Sequence, residues 1–540
     1  MESLTLAFER LNRFSDAQIK IFIALLGAVM FIPFLGQVHL FDWDEINFAE
    51  SAREMILSGD YLRVQINYEP FWEKPPLFFW LQVLSMKVFG INEFAARFPN
   101  ALVGIATLVI LYHIGNKLFN RKFGLIWVAA YVGTFLPHFY FKSGIIDPLF
   151  NLFIFSGIYF LYQSFSLEST KKAILAGVCI GLGLLTKGPV ALLVSGLVAV
   201  LYLVLRWEFT IRNILKLAVF TLFSVLTASV WFGVETWAHG PWFLQTFIEY
   251  NIRLFNTEDS GHGQPVFYHP LVLLIGCFPT SILCLKMLVR NKHIAENGFA
   301  FIMQLLSWVV LIIFSTVKTK IIHYSSLCYF PITFLAVFYV YHEGIAVWQK
   351  IILLLLGIII SLALIGLPFF VLNVGYFLPY IKDVFAVANL SAKVDWSGWE
   401  SLGGIIFIAT IAVGLFFTKR KYYSLFILFS GVVVAFQLAL YWIAPKVETH
   451  VQGAMIDFLK SKQTEDCYIK AIGFKSYAQY FYSARKPDYN KEMEDETRLV
   501  YGEVDKPVYL ITKCNRDNYR LIPQLEVVMD KNGWVVYKRK

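Results

Sequence analysis

Long apolar runs separated by short polar turns dominate the chain. We find about thirteen runs of roughly 18–20 residues, the length at which an α-helix crosses a bilayer. They lie near 18–36, 99–118, 122–141, 146–164, 172–186, 189–205, 213–232, 269–288, 298–316, 326–343, 349–371, 401–418 and 423–443. The strict alternation of a membrane β-barrel is missing from the sequence. The pattern therefore predicts an α-helical polytopic membrane protein.

Two apolar segments need separate treatment. The segment 77–90 is short, and we expect an interfacial or juxtamembrane helix there. The first run follows Arg10, Arg13 and Lys20, which would also fit a cleaved signal peptide. No small-x-small cleavage motif follows this run, so an uncleaved span is favoured.

The tail after the last apolar run has the pattern of a soluble α/β domain. Strands are predicted over 466–473 and 507–512, with a helix over 475–482. Strands over 525–529 and 534–537 flank Asp530-Lys531-Asn532-Gly533, a hairpin signal. We predict a transmembrane domain over 1–446 and a soluble domain over 447–540, and we find no internal repeat.

Composition and charge agree with this division. The 540 residues are 57% hydrophobic and carry a net charge of +9, with a mean hydropathy of +0.59. The excess positive charge lies in short turns between apolar runs, which indicates the cytoplasmic side of a membrane protein and not a nucleic-acid surface. These turns contain Arg121, Lys122, Lys171, Lys172, Arg206, Arg212, Lys216, Lys286, Arg290, Lys292, Lys419, Arg420 and Lys421. With the N-terminus cytoplasmic, the segments 37–98, 233–268 and 372–400 and the tail face outward.

Six cysteines carry little functional signal. Cys179, Cys277, Cys284 and Cys328 lie in apolar runs, where packing explains them, and no spacing matches a metal site. Cys467 and Cys514 lie in the tail, and their pairing as a disulfide is left open, since it depends on an oxidising compartment.

Ionisable residues concentrate on the predicted outer face. Asp42, Asp44, Glu45, Glu50, Arg53 and Glu54 share one short stretch beside the first apolar run. Charges next to hydrocarbon are costly, and by default they are functional candidates. This stretch, within the loop 37–98, is the predicted catalytic loop.

Several cations also lie on the outer face against the positive-inside trend. They are Lys74, Lys142, Lys187, Arg253, Lys318 and Lys320. A phosphate is a natural partner, because Lys and Arg bind it through charge-assisted hydrogen bonds. Snorkelling toward lipid headgroups is the alternative, especially for Lys142 and Lys318.

Carboxylates and aromatic residues complete the candidate site. Asp147 starts an apolar run, although Asp147-Pro148 is also typical of a helix cap. His262 lies in a Gly-rich stretch, and a helical turn from Lys320 would bring Tyr324 to the same face as that lysine. A carboxylate can accept a proton from an attacking hydroxyl, and cations can stabilise a phosphate leaving group.

These residues, in this order, resemble the ArnT/protein O-mannosyltransferase group of membrane glycosyltransferases, which have the GT-C fold. The matching pieces are Asp44-Glu45, Ala52-Arg53-Glu54-Met55, Lys74-Pro75-Pro76-Leu77, Arg97-Phe98-Pro99, Asp147, Thr186-Lys187-Gly188-Pro189, and Lys320 with His323-Tyr324. They span roughly the first 330 residues, and the remainder matches in general layout, with an outer α/β domain as in the aminoarabinose-transferase subgroup.

The resemblance implies inverting transfer of a sugar from a polyprenyl-phosphate donor such as undecaprenyl phosphate. Asp44 matches the catalytic loop carboxylate, Asp147 the second acidic position and Lys74 the lysine that holds the donor phosphate. The expected site is Asp44, Glu45 and Asp147 for catalysis, Lys74, Arg253, Lys320 and Tyr324 for the donor phosphate, and Lys187, His262 and His323 as further substrate contacts. Glu73 precedes Lys74 as in members where a metal lies near, but no second ligand is evident, so no metal or other cofactor is expected.

The acceptor is left open by the sequence. Lipid A on the outer face of a bacterial inner membrane is favoured, which would make the tail periplasmic. A protein O-mannosyltransferase-like enzyme acting on Ser/Thr, or one acting on a surface polysaccharide, is the alternative. A transporter or flippase for a lipid-linked substrate is disfavoured, because such proteins place ionisable groups near mid-membrane and often show inverted repeats.

Overall fold

The computed structural model describes residues 14–256, 264–289, 291–417 and 421–540. The α-helices of the first half are α1 (Asp16–Phe31), α2 (Asp44–Ser58), α3 (Leu77–Phe89), α4 (Glu93–Leu118), α5 (Arg121–Val132), α6 (Phe135–Tyr140), α7 (Asp147–Ser166), α8 (Thr170–Leu184), α9 (Val190–Leu205), α10 (Ile211–His239), α11 (Trp242–Asn256) and α12 (Tyr268–Gly276). Those of the second half are α13 (Thr280–Leu288), α14 (Lys292–Glu296), α15 (Gly298–Thr316), α16 (Tyr329–His342), α17 (Val347–Leu372), α18 (Val384–Leu390), α19 (Leu402–Ala412), α20 (Lys421–Trp442), α21 (Ala444–Glu448), α22 (Ala454–Ser461), α23 (Ala478–Phe481) and α24 (Glu496–Tyr501).

Tighter and wider helical turns connect some of these elements. Ile322–Cys328 forms a 3-10 helix directly before α16, and shorter 3-10 turns cover Val374–Tyr376, Leu378–Tyr380, Trp399–Ser401, Lys491–Glu494 and Cys514–Arg516. Two π-helical turns, Val413–Phe417 and Thr449–Gly453, extend α19 and α21.

The long apolar helices make this a multi-pass membrane protein. Within the described ranges, eight helical segments are long and apolar enough to cross a bilayer: Glu93–Leu118, Asp147–Ser166, Ile211–His239, Gly298–Thr316, Ile322–His342, Val347–Leu372, Trp399–Phe416 and Tyr422–Trp442. Leu77–Phe89 and Val190–Leu205 are shorter apolar helices. The helical membrane class is confirmed, while the count of about thirteen spans stays a prediction.

Three segments are divided into helices differently from the prediction. The run 122–141 is divided into α5 and α6. The run 269–288 is divided into α12 and α13 before Thr280, because Pro279 cannot continue a helix. The segment 233–268, predicted to be an outward-facing loop, is not a simple loop, because α10 extends to His239 and is followed by α11. Phe243, Phe247 and Tyr250 are buried on one face of α11, the spacing of an amphipathic helix.

The tail contains a four-stranded sheet made of β3 (Tyr468–Ala471), β4 (Val508–Lys513), β5 (Leu525–Lys531) and β6 (Trp534–Arg539). A separate two-stranded ribbon, β1 (Gln65–Ile66) and β2 (Glu69–Pro70), lies in the loop after α2. The order in the larger sheet is β3-β4-β6-β5, with β3 parallel to β4 and the other pairs antiparallel. All four strand predictions are confirmed.

The predicted hairpin joins β5 to β6. Asn532 and Gly533 both have positive φ angles, of 52° and 83°. Two-residue hairpin turns require such angles, which Asn and Gly adopt most readily. The helix predicted over 475–482 is shorter than expected, since only Ala478–Phe481 is α-helical. Cys467 and Cys514 are not joined in a disulfide.

The tail packs directly on the segment 37–98, which is predicted to face outward. The Gln452 amide donates to the Leu40 carbonyl at 3.0 Å, and the Tyr482 hydroxyl accepts from the Leu40 amide at 2.6 Å. Helical backbone runs through α21, a π-turn and α22, so the chain crosses the predicted boundary at 446 without a linker. The tail is therefore held against the loop that carries the candidate carboxylates.

Candidate active site

Two carboxylates from different helices converge on one imidazole. Asp44 is the first residue of α2, and Asp147 is the first residue of α7. His323, in the 3-10 helix before α16, has its Nε2 atom 3.4 Å from Asp44 Oδ2 and 3.8 Å from Asp147 Oδ2. The Asp44 side chain is 30% exposed, whereas that of Asp147 is 4% exposed. Asp44 is therefore the carboxylate that an incoming molecule can reach.

A lysine neutralises the buried carboxylate. Lys187 Nζ lies 2.5 Å from Asp147 Oδ1, and it also lies 5.0 Å from the centroid of the Tyr324 ring. The other oxygen, Asp147 Oδ2, has no hydrogen-bond donor among the residues that the structure describes. Asp147 also begins α7 with Pro148 after it, so it is both a helix-terminal residue and part of this charged cluster.

A second cluster lies around Lys74. The Tyr250 hydroxyl of α11 donates to Glu73 Oε2 at 2.9 Å. Lys74 Nζ lies 5.1 Å from the centroid of the Tyr250 ring, and Arg253 Cζ lies 5.4 Å from the same centroid. Two of the three cations predicted to bind the donor phosphate, Lys74 and Arg253, therefore lie near the same aromatic ring.

Close packing at a glycine brings α11 to this position. Gly188 has a φ of +113°, and a Cβ atom there would lie 2.5 Å from Phe247 Cζ. Only glycine fits both this backbone conformation and the approach of the ring. The Thr186-Lys187-Gly188-Pro189 motif thus seats the helix that carries Tyr250 and Arg253 beside Lys187.

The two clusters are electrostatically coupled. Burial lowers the pKa of the Lys74 ammonium group, and nearby Glu73 partly opposes that shift. Lys187 lowers the pKa of Lys74 further, while Asp44 and Asp147 raise it. Lys74 therefore lies within range of the carboxylates and of the second lysine, so the whole arrangement is one charged site. A dianionic phosphate placed there would offset the mutual repulsion of Lys74 and Lys187.

Glu45 is enclosed by hydrogen-bond donors, unlike Asp44. Its carboxylate is buried and accepts from Arg97 Nε at 2.9 Å and Nη2 at 2.8 Å. It also accepts from the backbone amides of Phe41 at 3.0 Å and Gly144 at 2.6 Å. Since donors occupy both oxygens, the geometry favours a structural role. The catalytic role expected for Glu45 stays a prediction, and the contacts of its carboxylate do not favour it.

The other predicted substrate-binding residues differ in how close they lie to the two clusters. Tyr324 is adjacent to the site through Lys187, and His323 is central to it. Lys320 is buried in an extended segment before the 3-10 helix, so the helical turn expected to align it with Tyr324 is not formed. His262 lies outside the described residues.

Two of the other misplaced cations stay away from the clusters. Lys142 is buried and donates to the Pro33 carbonyl at 2.8 Å, while Lys318 is exposed.

Other charged residues of the loop bind the tail. Arg53 forms a buried ion pair with Glu50 at 2.6 Å and donates to the Arg485 carbonyl at 2.8 Å. Glu54 accepts from the backbone amides of Asn67 and Tyr68. Burial raises the pKa of Glu54 to about 9, and neighbouring Glu50 adds to that shift. Arg53 thereby fastens the loop to the tail, whereas Glu54 stabilises the backbone of the loop itself.

Sequence reasoning missed Tyr250, Arg97 as the partner of Glu45, and the aromatic contacts of the tail. Tyr250 and Arg253 are three residues apart on one helix. The prediction of a loop over 233–268 hid this helical spacing. Among the described residues, no group of three or more His, Cys, Asp or Glu side chains is arranged to hold a metal ion.

Comparisons with known proteins agree with this architecture. The family model described as dolichyl-phosphate-mannose-protein mannosyltransferase matches residues 73–232. An undecaprenyl phosphate-alpha-4-amino-4-deoxy-L-arabinose arabinosyl transferase of Shewanella sediminis is 25% identical over 324 residues, 59% of each chain. The protein of the same name from Yersinia enterocolitica is 26% identical over 400 residues, 71% of this chain and 70% of that one.

Solved structures extend the likeness to nearly the whole chain. The crystal structure of ArnT from Cupriavidus metallidurans bound to undecaprenyl phosphate matches with a TM-score of 0.76 and 19% identity, covering 96% of this chain and 97% of that one. The fold is therefore that of a GT-C membrane protein with a small C-terminal sheet. Within that class the chain resembles the ArnT-like proteins, which confirms the resemblance predicted from the sequence. The match spans 59% and 58% of the lengths of the Shewanella sediminis and Photorhabdus laumondii relatives.

Proposed function

We propose that this chain is an inverting glycosyltransferase that moves an aminoarabinose-type sugar from undecaprenyl phosphate to lipid A. The observation that carries the proposal is the convergence of Asp44 and Asp147 on His323, with Lys187 paired to Asp147. Lys74 and Arg253 lie together against the Tyr250 ring and supply the cations of the site. A site with cations on one side and an accessible carboxylate on the other suits transfer from a phosphate-linked donor. The names of the relatives supply the sugar and the lipid carrier. Lipid A as the acceptor is the expectation that the sequence resemblance implies.

In this proposal the donor phosphate lies against Lys74 and Arg253. Both cations are held near the Tyr250 ring, and charge-assisted hydrogen bonds from Lys and Arg are the strong contacts that phosphate takes. Their positive charge offsets the negative charge that collects on the phosphate as the glycosidic bond breaks. Undecaprenyl phosphate leaves with the bonding electrons.

The acceptor oxygen then attacks the anomeric carbon from the side opposite the phosphate, which inverts that centre. A lipid A phosphate is already anionic, so Asp44 need not remove a proton and instead stabilises the positive charge on the sugar. If the acceptor is a hydroxyl, as in the protein or polysaccharide alternatives, Asp44 takes its proton. His323 and Lys187 keep Asp44 and Asp147 in place.

We further propose that the site faces the periplasm and requires no metal, with Lys74 and Arg253 supplying the positive charge. The orientation follows from the distribution of Lys and Arg in the short turns.

The proposal is tested with Asp44→Asn and Lys74→Ala in reconstituted membranes, using mass spectrometry of lipid A to follow transfer. We expect transfer to fall about 100-fold or more in each, since removing one group that stabilises charge in the transition state costs that much. Asp395→Asn and Lys382→Ala, which change exposed residues of another outer loop, serve as controls and should keep full activity. Wild-type rates in both site variants would refute the assignment.

A further inference from the structure

We propose that a cavity in the C-terminal sheet domain binds the phosphorylated sugar headgroup of the acceptor lipid. This inference rests on the proposed function and deepens it, because it assigns the acceptor a site separate from that of the donor. It concerns residues of the tail that the catalytic clusters do not use.

The cavity has a volume of about 240 Å³ and is open to solvent. Its lining includes Lys470, Phe474, Lys475, Ser476, Tyr477 and Tyr480. Ligand pockets for whole drug-sized molecules are larger, at roughly 300–1,000 Å³. The cavity therefore suits one sugar with its phosphate, which would leave the acyl chains of a lipid acceptor in the bilayer.

One wall of the cavity touches the catalytic loop. The Tyr477 ring lies 5.2 Å from the Trp43 ring, and Lys475 Nζ lies 4.6 Å from the centroid of the same indole. Trp43 directly precedes Asp44 in the chain. Ser476 and the Tyr477 amide also donate hydrogen bonds to Asp42. A molecule in the cavity would thus lie beside the residues that begin the catalytic helix.

The electrostatics of the Tyr477 phenol support this placement. Burial raises the pKa of Tyr477, and Glu73, Asp42 and Asp44 each raise it further. Tyr477 is therefore within range of both the donor-site carboxylate Glu73 and the catalytic carboxylate Asp44. Tyr477, which lines the cavity, therefore adjoins the catalytic loop through its contact with Trp43.

The charge of the cavity fits an anionic headgroup. Lys475 is exposed and, in the part of the chain that the structure describes, forms no ion pair with a carboxylate. Lys470 is paired with Glu494 at 3.2 Å, and Lys513 lies 5.0 Å from the centroid of the Phe474 ring. Lys475 is the cation available for a phosphate, since Lys470 is already compensated. The aromatic walls supply apolar surface for the face of a sugar.

Separate cations for the two substrates have a physical advantage. A donor phosphate held by Lys74 and an acceptor phosphate held by the same lysine would repel each other at short range. Placing the acceptor anion on Lys475 spreads the two negative charges over two positive groups. Packing of the tail against the loop would thus bring the acceptor site next to the catalytic residues.

The first test compares Lys475→Ala with the wild type in steady-state kinetics. Lipid A is varied at saturating donor, and the donor is varied at saturating lipid A. We expect the KM for lipid A to rise about 10-fold, the loss expected for one charge-assisted contact, while the KM for the donor changes less than about twofold. Lys475→Arg should restore most of the affinity. Lys531→Ala changes an exposed lysine of the same domain outside the cavity and should leave both values unchanged.

An unchanged KM for lipid A in Lys475→Ala, or an equal rise in both KM values, would overturn the inference. An effect on KM that appears only with a Ser/Thr peptide acceptor would also overturn it, since the cavity would then serve a protein acceptor.

A second test does not depend on transfer. Binding of glucosamine 1-phosphate to the detergent-solubilised full chain is measured by nuclear magnetic resonance, with glucosamine and inorganic phosphate as comparison probes. We expect the sugar phosphate to bind most tightly, and its affinity to fall in Lys475→Ala but not in Lys531→Ala. Binding that persists in a chain that fails to modify lipid A would refute the proposed function alone. Normal transfer with no sugar-phosphate binding, or with phosphate binding equally well, would refute the cavity assignment alone.

Discussion

Replacing Glu45 with Gln is expected to destabilise the protein as a whole, because this carboxylate neutralises a buried guanidinium. Arg97 donates to Glu45 through two nitrogens and to three backbone carbonyls, those of Leu35, Val38 and His39. Both side chains are less than 10% exposed. Removing one partner of such a pair leaves a charge with no compensation in a region of low dielectric, at a cost of about 3–5 kcal/mol.

Two further consequences follow from the same geometry. The amide nitrogen of Gln would face donors from Arg97 or from the Phe41 and Gly144 amides, so hydrogen bonds are lost along with the charge. At about 1.4 kcal/mol per tenfold change, the ratio of folded to unfolded protein should fall by roughly 100-fold or more. Arg97→Gln should destabilise similarly, and the double variant should cost less than the sum of the two.

The assay is unfolding in mixed micelles of increasing SDS content, followed by the fluorescence of the 14 tryptophans. Asp44→Asn is the matched control, because Asp44 is partly exposed and its contact with His323 is 3.4 Å long. It should lose transfer while keeping a wild-type unfolding curve. If Glu45→Gln instead unfolds like the wild type and loses only transfer activity, then Glu45 is catalytic and the structural role assigned to it here is wrong.

Three other outcomes are expected. The stability of the wild type should fall as pH rises from about 5 to about 9. The reason is that folded Glu54, whose pKa is raised to about 9, keeps a proton that the unfolded chain releases near the ordinary pKa of a glutamate. Glu54→Gln should flatten this dependence in SDS titrations, and an equally steep slope in that variant would contradict the prediction. Lys187→Met should lower the rate of transfer about tenfold or more, because it leaves Asp147 without its counter-charge. Lys187→Arg should recover part of the activity, whereas a fully active Lys187→Met variant would exclude the role of Lys187 in neutralising Asp147. Dialysis against EDTA should leave the transfer rate unchanged, and a loss that Mg²⁺, Mn²⁺ or Zn²⁺ restores would show a metal requirement.

The sequence was most informative where a local pattern decides the structure. Apolar runs long enough to cross a bilayer have little alternative to a membrane helix, since their backbone groups must be satisfied internally. The hairpin around Asn532-Gly533 was equally determined, because its two central residues need positive φ angles. The candidate cations could also be named, since Lys and Arg near outer span ends depart from an otherwise consistent charge distribution.

Asp44 and Glu45 show that a local sequence pattern does not decide which of two adjacent carboxylates is buried. Asp44 and Glu45 are consecutive in sequence, but on a helix they point about 100° apart. Glu45 turns inward to Arg97, and Asp44 turns toward His323. No property of the dipeptide separates the buried structural acid from the accessible one. Only the position of α4, which carries Arg97, makes the distinction.

The charges and the membrane class were thus determined by the sequence alone, because composition and run length are properties of single segments. The tertiary structure decided which charges meet. Asp44, Asp147, Lys187 and His323 come from four segments separated by dozens of residues, and the packing of the helices sets the distances between them. The contact of Tyr477 in the tail with Trp43 in the first loop is likewise a long-range event. A sequence pattern reports neighbours along the chain, whereas the free energy of a charged site depends on neighbours in space.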